Sequence, residues 1–183
     1  MQQHKLNSGF TLVEMVITLT VIAILAGIAV PSFTETLDRR RVSGAAEQLQ
    51  SDLQYARSEA LRRNANVVVS LKPAKDSTST TWCYGISTAA CDCSTGTTCQ
   101  LDTVTKIVNQ SGFTGVSLNH GFDGNIITFS PRSVSLNSGT ATFTSNIGTS
   151  NARVVSVIVA QVGGRIKLCS PSGSTNIPGY GAC

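Results

Sequence analysis

Glu14 is the only ionisable side chain in the 21 residues from Phe10 to Val30. A carboxylate placed in an apolar span costs roughly 2.5 to 3.5 kcal/mol, so such a residue marks a functional position. Its chemistry is ion pairing, because a low-dielectric interior tolerates the charge only beside a cation or a strong donor. A second pair of charges, Arg165 and Lys167, flanks Ile166. In an extended strand these two cations stand about 7 Å apart on one face with Cys169, while Ile166 and Leu168 turn to the core. Six cysteines, Cys83, Cys91, Cys93, Cys99, Cys169 and Cys183, all follow the apolar run. An even number in that position argues for disulfides and an oxidising compartment. Catalytic chemistry has no comparable support. His120, in an expected Asn119-His120-Gly121 turn, is the only histidine besides His4, and no carboxylate pair, Ser-His-Asp set or phosphate loop is visible. The chain reads as a non-enzyme that needs no cofactor.

These residues must be positioned by a small set of elements. As a helix, Phe10 to Val30 rises about 31 Å, close to a hydrocarbon core of about 30 Å, and Pro31 favours a kink at its end. A secretory signal would have a shorter apolar region, about 7 to 15 residues, followed by a small-x-small cleavage site, and the segment here is longer and runs into further helical pattern. From residue 32 to 64 the apolar positions Val42, Ala45, Leu49, Leu53, Ala56 and Ala60 recur at steps of three or four, one face of a helix that should dock on a sheet. Glu47, Asp52, Arg57, Glu59, Arg62 and Arg63 form the expected polar side. Asn64 or Asn66 is a candidate cap at the helix end.

Beyond residue 64 the chain is rich in Ser, Thr, Gly and Asn, a composition of short strands and turns. Strands are expected at 67–71, 81–86, 106–108, 115–118, 126–129, 140–144, 153–160 and 165–169, with turns at Asp123-Gly124-Asn125 and Val162-Gly163-Gly164. The predicted fold class is α+β: a long N-terminal helix packed on an antiparallel β domain, possibly of two sheets. Cys169 with Cys183 is the expected bridge for the Gly-, Pro- and Ser-rich tail, where a closed loop of about 15 residues contributes roughly 3 kcal/mol. Two further bridges are expected among Cys83, Cys91, Cys93 and Cys99, with their pairing open. The Cys91-Asp92-Cys93 spacing fits no common zinc pair, so no metal site is expected. Cysteines place the C-terminal part outside the cytoplasm, although Arg39, Arg40 and Arg41 follow the span and only Lys5 precedes it, the reverse of the usual charge bias.

The string Gly9-Phe10-Thr11-Leu12-Val13-Glu14-Met15, the apolar helix and Pro31 together resemble the class III signal of type IV pilins and type II secretion pseudopilins. The segment from Asp52 to Arg63, followed by Val67-Val68-Val69, is similar to the GspH/FimT branch of those proteins. The resemblance implies a pilin-like fold, a leader of residues 1–9 removed by a prepilin peptidase between Gly9 and Phe10, and methylation of Phe10. It also implies a membrane or filament-core helix over 10–31, its amphipathic continuation over 32–64, and a disulfide-stapled globular domain over 65–183. Glu14 would then face the terminal amine of a neighbouring subunit's Phe10. The implied site of action is the bacterial inner membrane, with the C-terminus periplasmic, and then a pilus. The partners are other pilin subunits, or other pseudopilins in a type II secretion machine. Without Lys5 the chain carries 14 less one basic side chains against 10 acidic ones, a mild excess. Some minor pilins of this branch bind DNA for natural transformation through a Gly-Arg-x-Arg motif, and Gly164-Arg165-Ile166-Lys167 matches it with lysine as the last cation. Arg165 and Lys167 are therefore the candidate phosphate contacts, with Arg153 and Arg132 as lesser candidates.

Overall fold

The computed structural model describes residues 9–95, 98–132, 136–145, 152–161, 164–172 and 177–183. Its contacts fall into two compact units, residues 1–37 and 38–183. A single helix, α1 (Leu12–Arg63), runs through Pro31. All six apolar positions predicted for its second half, from Val42 to Ala60, are buried to within about one per cent. The helix stops where an asparagine can take the left-handed conformation. Asn64 has φ 50°, its N–H bonds Leu61 O at 3.3 Å, and Ala65 N–H reaches Ala60 O at 3.3 Å. That pair of bonds closes a Schellman motif and satisfies carbonyls that the helix would otherwise leave open.

Among the described residues ten strands follow in the second unit: β1 (Val67–Lys72), β2 (Cys83–Ser87), β3 (Gln100–Leu101), β4 (Val104–Thr105), β5 (Ile107–Asn109), β6 (Val116–His120), β7 (Ile126–Phe129), β8 (Gly139–Ser145), β9 (Val154–Val159) and β10 (Ile166–Cys169). They form two four-stranded antiparallel sheets, ordered β5-β2-β1-β7 and β10-β9-β8-β6, and a β3-β4 ribbon. One hydrophobic core draws on the helix, both sheets and Ile177 of the tail. Trp82 ties the sheets together: its ring lies 5.4 Å from that of Phe143 on β8, and its indole N–H donates to Val116 O at 2.9 Å. Burying the ring while pairing its one donor leaves no desolvated polar atom behind. The fold is α+β, a long helix with antiparallel sheets, as expected. The Val162-Gly163-Gly164 turn falls largely outside the described residues, whereas Asp123–Asn125 forms a 3-10 turn with Gly124 at φ 67°.

Disulfides hold the segments that cannot pack. Cys83 pairs with Cys93, Cys91 with Cys99, and Cys169 with Cys183. The first crosslinks the irregular chain after β2 back onto β2, and the second closes a loop within that chain, packed against Gly85 of β2. This is possible because Gly85 has no side chain: a Cβ there would meet Cys99 Sγ and lie 2.6 Å from Cys99 Cβ.

Candidate assembly segment and candidate cationic face

Thr11 precedes the first helical residue, and its hydroxyl accepts the N–H of Glu14 at 3.2 Å. The Thr11-Leu12-Val13-Glu14 spacing is that of a capping box, a local reason for the acid's position that the sequence analysis passed over. A negative charge in the first turn also complements the helix dipole. Two other polar side chains of the span are satisfied within it: Thr18 donates to Met15 O at 2.9 Å and Thr20 to Ile17 O at 2.7 Å. Among the described residues the Glu14 carboxylate has no hydrogen-bond or ion-pair partner. Phe10 is 79% exposed, and Leu12, Val13, Met15, Val16 and Ile17 are exposed with it. A helix apolar on every side is a core element or a membrane span, and this one is long and apolar enough to cross a bilayer.

In the second unit the polar helix face departs from expectation at two acids. Asp52 is 8% exposed and Glu59 is likewise buried. Asp52 Oδ2 accepts from Tyr84 Oη at 2.8 Å and from Gln48 Nε2 at 3.0 Å. Burial, reinforced by the nearby Asp52 charge, pushes the Tyr84 phenol well above its usual range, so it stays a donor. Glu59 accepts from Arg62 and Arg63, whose hydrogen bonds hold its carboxyl below the usual range, and Arg63 also forks onto Asp102 beyond β3. Helical spacing offers Gln48 to Asp52 and Arg62 and Arg63 to Glu59, but it could not find Tyr84 or Asp102, which lie far along the chain.

Arg165 is exposed immediately before β10, and by strand alternation Lys167 shares its face. Arg57 on α1 donates to Gly164 O at 3.4 Å, which brings a third cation to this corner. Lys167 is half-buried and donates to Ala182 O at 3.2 Å. Cys169, on the same face, is buried under the tail that its disulfide secures. Ser170 N–H bonds Gly181 O at 2.9 Å, Cys183 N–H bonds Ser170 O at 3.2 Å, and Tyr180 OH donates to Glu47 of the helix. Arg153 does not join this face: it is 7% exposed beside β9, an inner strand of its sheet, and its guanidinium is not presented to solvent. Arg132 is exposed but follows β7, in the other sheet. His120 is not in a turn. It ends β6, fully buried, with Nε2 donating to Pro73 O at 2.8 Å and Nδ1 accepting from Phe122 N–H at 3.4 Å.

Comparison with known proteins places this geometry. Residues 4–30 match the prokaryotic N-terminal methylation motif. Residues 45–164 match the family model described as type II transport protein GspH. Two curated fimbrial proteins of Pseudomonas aeruginosa are each 35% identical over 69 residues, 38% of this chain and 44% of theirs, so the match spans less than half of either relative. The crystal structure of the type IV minor pilin FimU of Pseudomonas aeruginosa superposes with a TM-score of 0.51 at 23% identity, covering 79% of this chain and 97% of that one. That likeness concerns the fold: a long helix with antiparallel sheets. With the GspH model matching well over half of its length, the chain belongs to the GspH family.

Proposed function

We propose that the chain is a minor type IV pilin subunit that works by assembly. In this reading the leader of residues 1–9 is cut between Gly9 and Phe10 by a prepilin peptidase, Phe10 is methylated, and the 10–31 helix anchors the subunit in the inner membrane. The domain beyond residue 64 is then periplasmic, and the helix later packs beside those of other pilin subunits. The observation that carries the reading is Glu14: a capped but otherwise unpartnered acid on an apolar helix, continuous with a helix that docks in a folded domain. Between packed helices its carboxylate is stabilised by a cation, and the amine of a neighbour's Phe10 supplies one. Mass spectrometry of the mature N-terminus tests processing, with methylated Phe10 expected. Glu14→Ala should be processed yet missing from filaments, and normal incorporation would remove the electrostatic role. Co-purification with pilus minor subunits supports this host machine, whereas recovery with secretion pseudopilins would assign the chain to a type II secretion system.

A second reading, DNA binding for uptake, is favoured by one observation: Arg57 meets Gly164, so Arg57, Arg165 and Lys167 converge at one corner. Contacts there would be to phosphates, without base readout. An Arg165→Ala, Lys167→Ala double variant should weaken DNA binding and flatten its salt dependence by about two in slope. Unchanged binding in a gel-shift titration would exclude these two residues.

A further inference from the structure

A cleft of about 250 Å³ opens in the second unit where α1 meets β2, β4 and β5, lined by Gln48, Asp52, Tyr84, Ile86 and Lys106 among others. Its acidic member is unusual. Asp52 is more than nine-tenths buried, yet among the described residues no ion pair joins it. Both of its donors, Tyr84 and Gln48, bond the same oxygen, Oδ2. An ionised carboxylate accepts at two oxygens, so Oδ1 retains its acceptor capacity. That oxygen is not among the buried side-chain atoms without a hydrogen-bond partner, as expected if it reaches the cleft. The lysine that lines the cleft is engaged at another side chain: Lys106 Nζ sits 4.9 Å from the centroid of the Tyr55 ring. Ile86 and Val108, which share a sheet face with Tyr84, give the cleft its apolar lining beside the acid. A buried anion beside apolar side chains in a cleft of mixed lining has the complementarity of an alkyl-borne cation: Ile86 and Val108 take the methylenes and the acid takes the head.

We infer that this cleft is a binding site for an ammonium or guanidinium carried on an aliphatic stem. Tyr84 and Gln48 act as positioning residues, fixing Oδ2 so that Oδ1 faces the incoming donor. Two sources share this chemistry, a lysine or arginine side chain of another protein and a free amine. The site is remote in sequence from Glu14 and does not depend on the assembly reading.

Titration calorimetry on the full chain in detergent micelles tests it, with Nα-acetyl-arginine amide, Nα-acetyl-lysine amide, 1,4-diaminobutane and Nα-acetyl-norleucine amide as probes. The cationic probes should bind, and the norleucine derivative, equal in stem but uncharged, should not. Asp52→Asn, which keeps an acceptor for Tyr84, should weaken cation binding by at least about tenfold, roughly 1.4 kcal/mol, with its thermal midpoint confirming that it folds. Tighter binding of the amino-acid amides than of 1,4-diaminobutane points to a protein side chain, and the reverse order points to a free amine. Equal binding by Asp52→Asn, equal binding of the norleucine derivative, or no heat with any cation overturns the site. Lys106→Met separates the remaining explanation. If Lys106 itself closes on Asp52 in solution, its removal would create cation binding absent from the parent chain, and that result also overturns the proposal.

Discussion

His120 shows how a single side chain acquires a measurable role from its surroundings. Its ring is wedged against Phe122, with centroids 6.0 Å apart, and both nitrogens are engaged in the neutral tautomer: Nε2–H on Pro73 O and Nδ1 under Phe122 N–H. Protonation would place a second N–H against a backbone donor in a buried site. Burial therefore lowers the His120 pKa from its ordinary 6.5, against weaker raising effects from the Pro73 carbonyl and Asp76. Because the unfolded chain binds this proton more readily, the stabilising contribution is complete above pH 6.5 and is lost as pH falls through the folded-state value. Chemical denaturation between about pH 5 and 7 should show stability falling on acidification, and His120→Gln should flatten that slope. An unchanged slope would remove His120 as its source. Asp92, Asp102 and Asp123 are held below the usual carboxylate range by hydrogen bonds from Lys72, Arg63 and Lys75, so their losses begin in a more acidic window. Gly85 acts through absence of a side chain. In Gly85→Ala the methyl meets the Cys91–Cys99 bridge, and overpacking of this kind costs about 1 to 3 kcal/mol, read as a lower denaturation midpoint under oxidising conditions.

At the scale of elements, the second half of α1 is held by its apolar stripe, and the test is one of position. Leu53 is fully buried in the core, whereas Leu61, two turns on, is 58% exposed. Leu53→Ala should cost about 2 to 5 kcal/mol of unfolding free energy, and Leu61→Ala should stay within about 0.5 kcal/mol. Comparable losses at both would mean that the helix does not dock through this stripe. The same contrast explains what was legible beforehand. Strictly periodic elements were readable: the stripe from Val42 to Ala60, the cap at Asn64, and eight strands, each displaced by only a few residues at its ends. The two-residue strands β3 and β4 were not, because Gln100–Leu101 and Val104–Thr105 carry no period and exist through the neighbouring Cys91–Cys99 bridge and the Arg63–Asp102 pair. Asp52 and Arg153 were misjudged for a related reason. A polar residue on a predicted face reads as solvated until a distant tyrosine or an inner-strand position buries it. Of the proposed assembly segment, the acid and its apolar setting were plain in the residue types, but the Thr11 hydroxyl that caps Glu14 became evident only with the helix start in place.

At the scale of the whole molecule, one helix carries both an exposed apolar segment and the docked face of a folded domain. Among the described residues every member of the hydrophobic core lies at Val42 or beyond, all three disulfides lie at Cys83 or beyond, and the contacts divide between Leu37 and Asp38. Among the described residues the core includes none from the apolar segment, whose large side chains from Phe10 to Ile28 are exposed. A chain beginning at Asp38 should consequently fold without detergent, form all three disulfides and melt within a few degrees of the full-length protein in micelles. Exposing the cut helix end leaves one fraying turn, and Asp38, an acid in the new first turn, suits the dipole there. Because it lacks Glu14 and its apolar surroundings, this domain should be absent from filaments in cells that incorporate the parent chain. Aggregation of the shortened chain, or a cooperative unfolding midpoint lower by tens of degrees, would mean that the first unit stabilises the second. An intact, soluble domain would instead confine the first unit's contribution to anchoring and assembly, so that stability and polymerisation can be altered by separate substitutions.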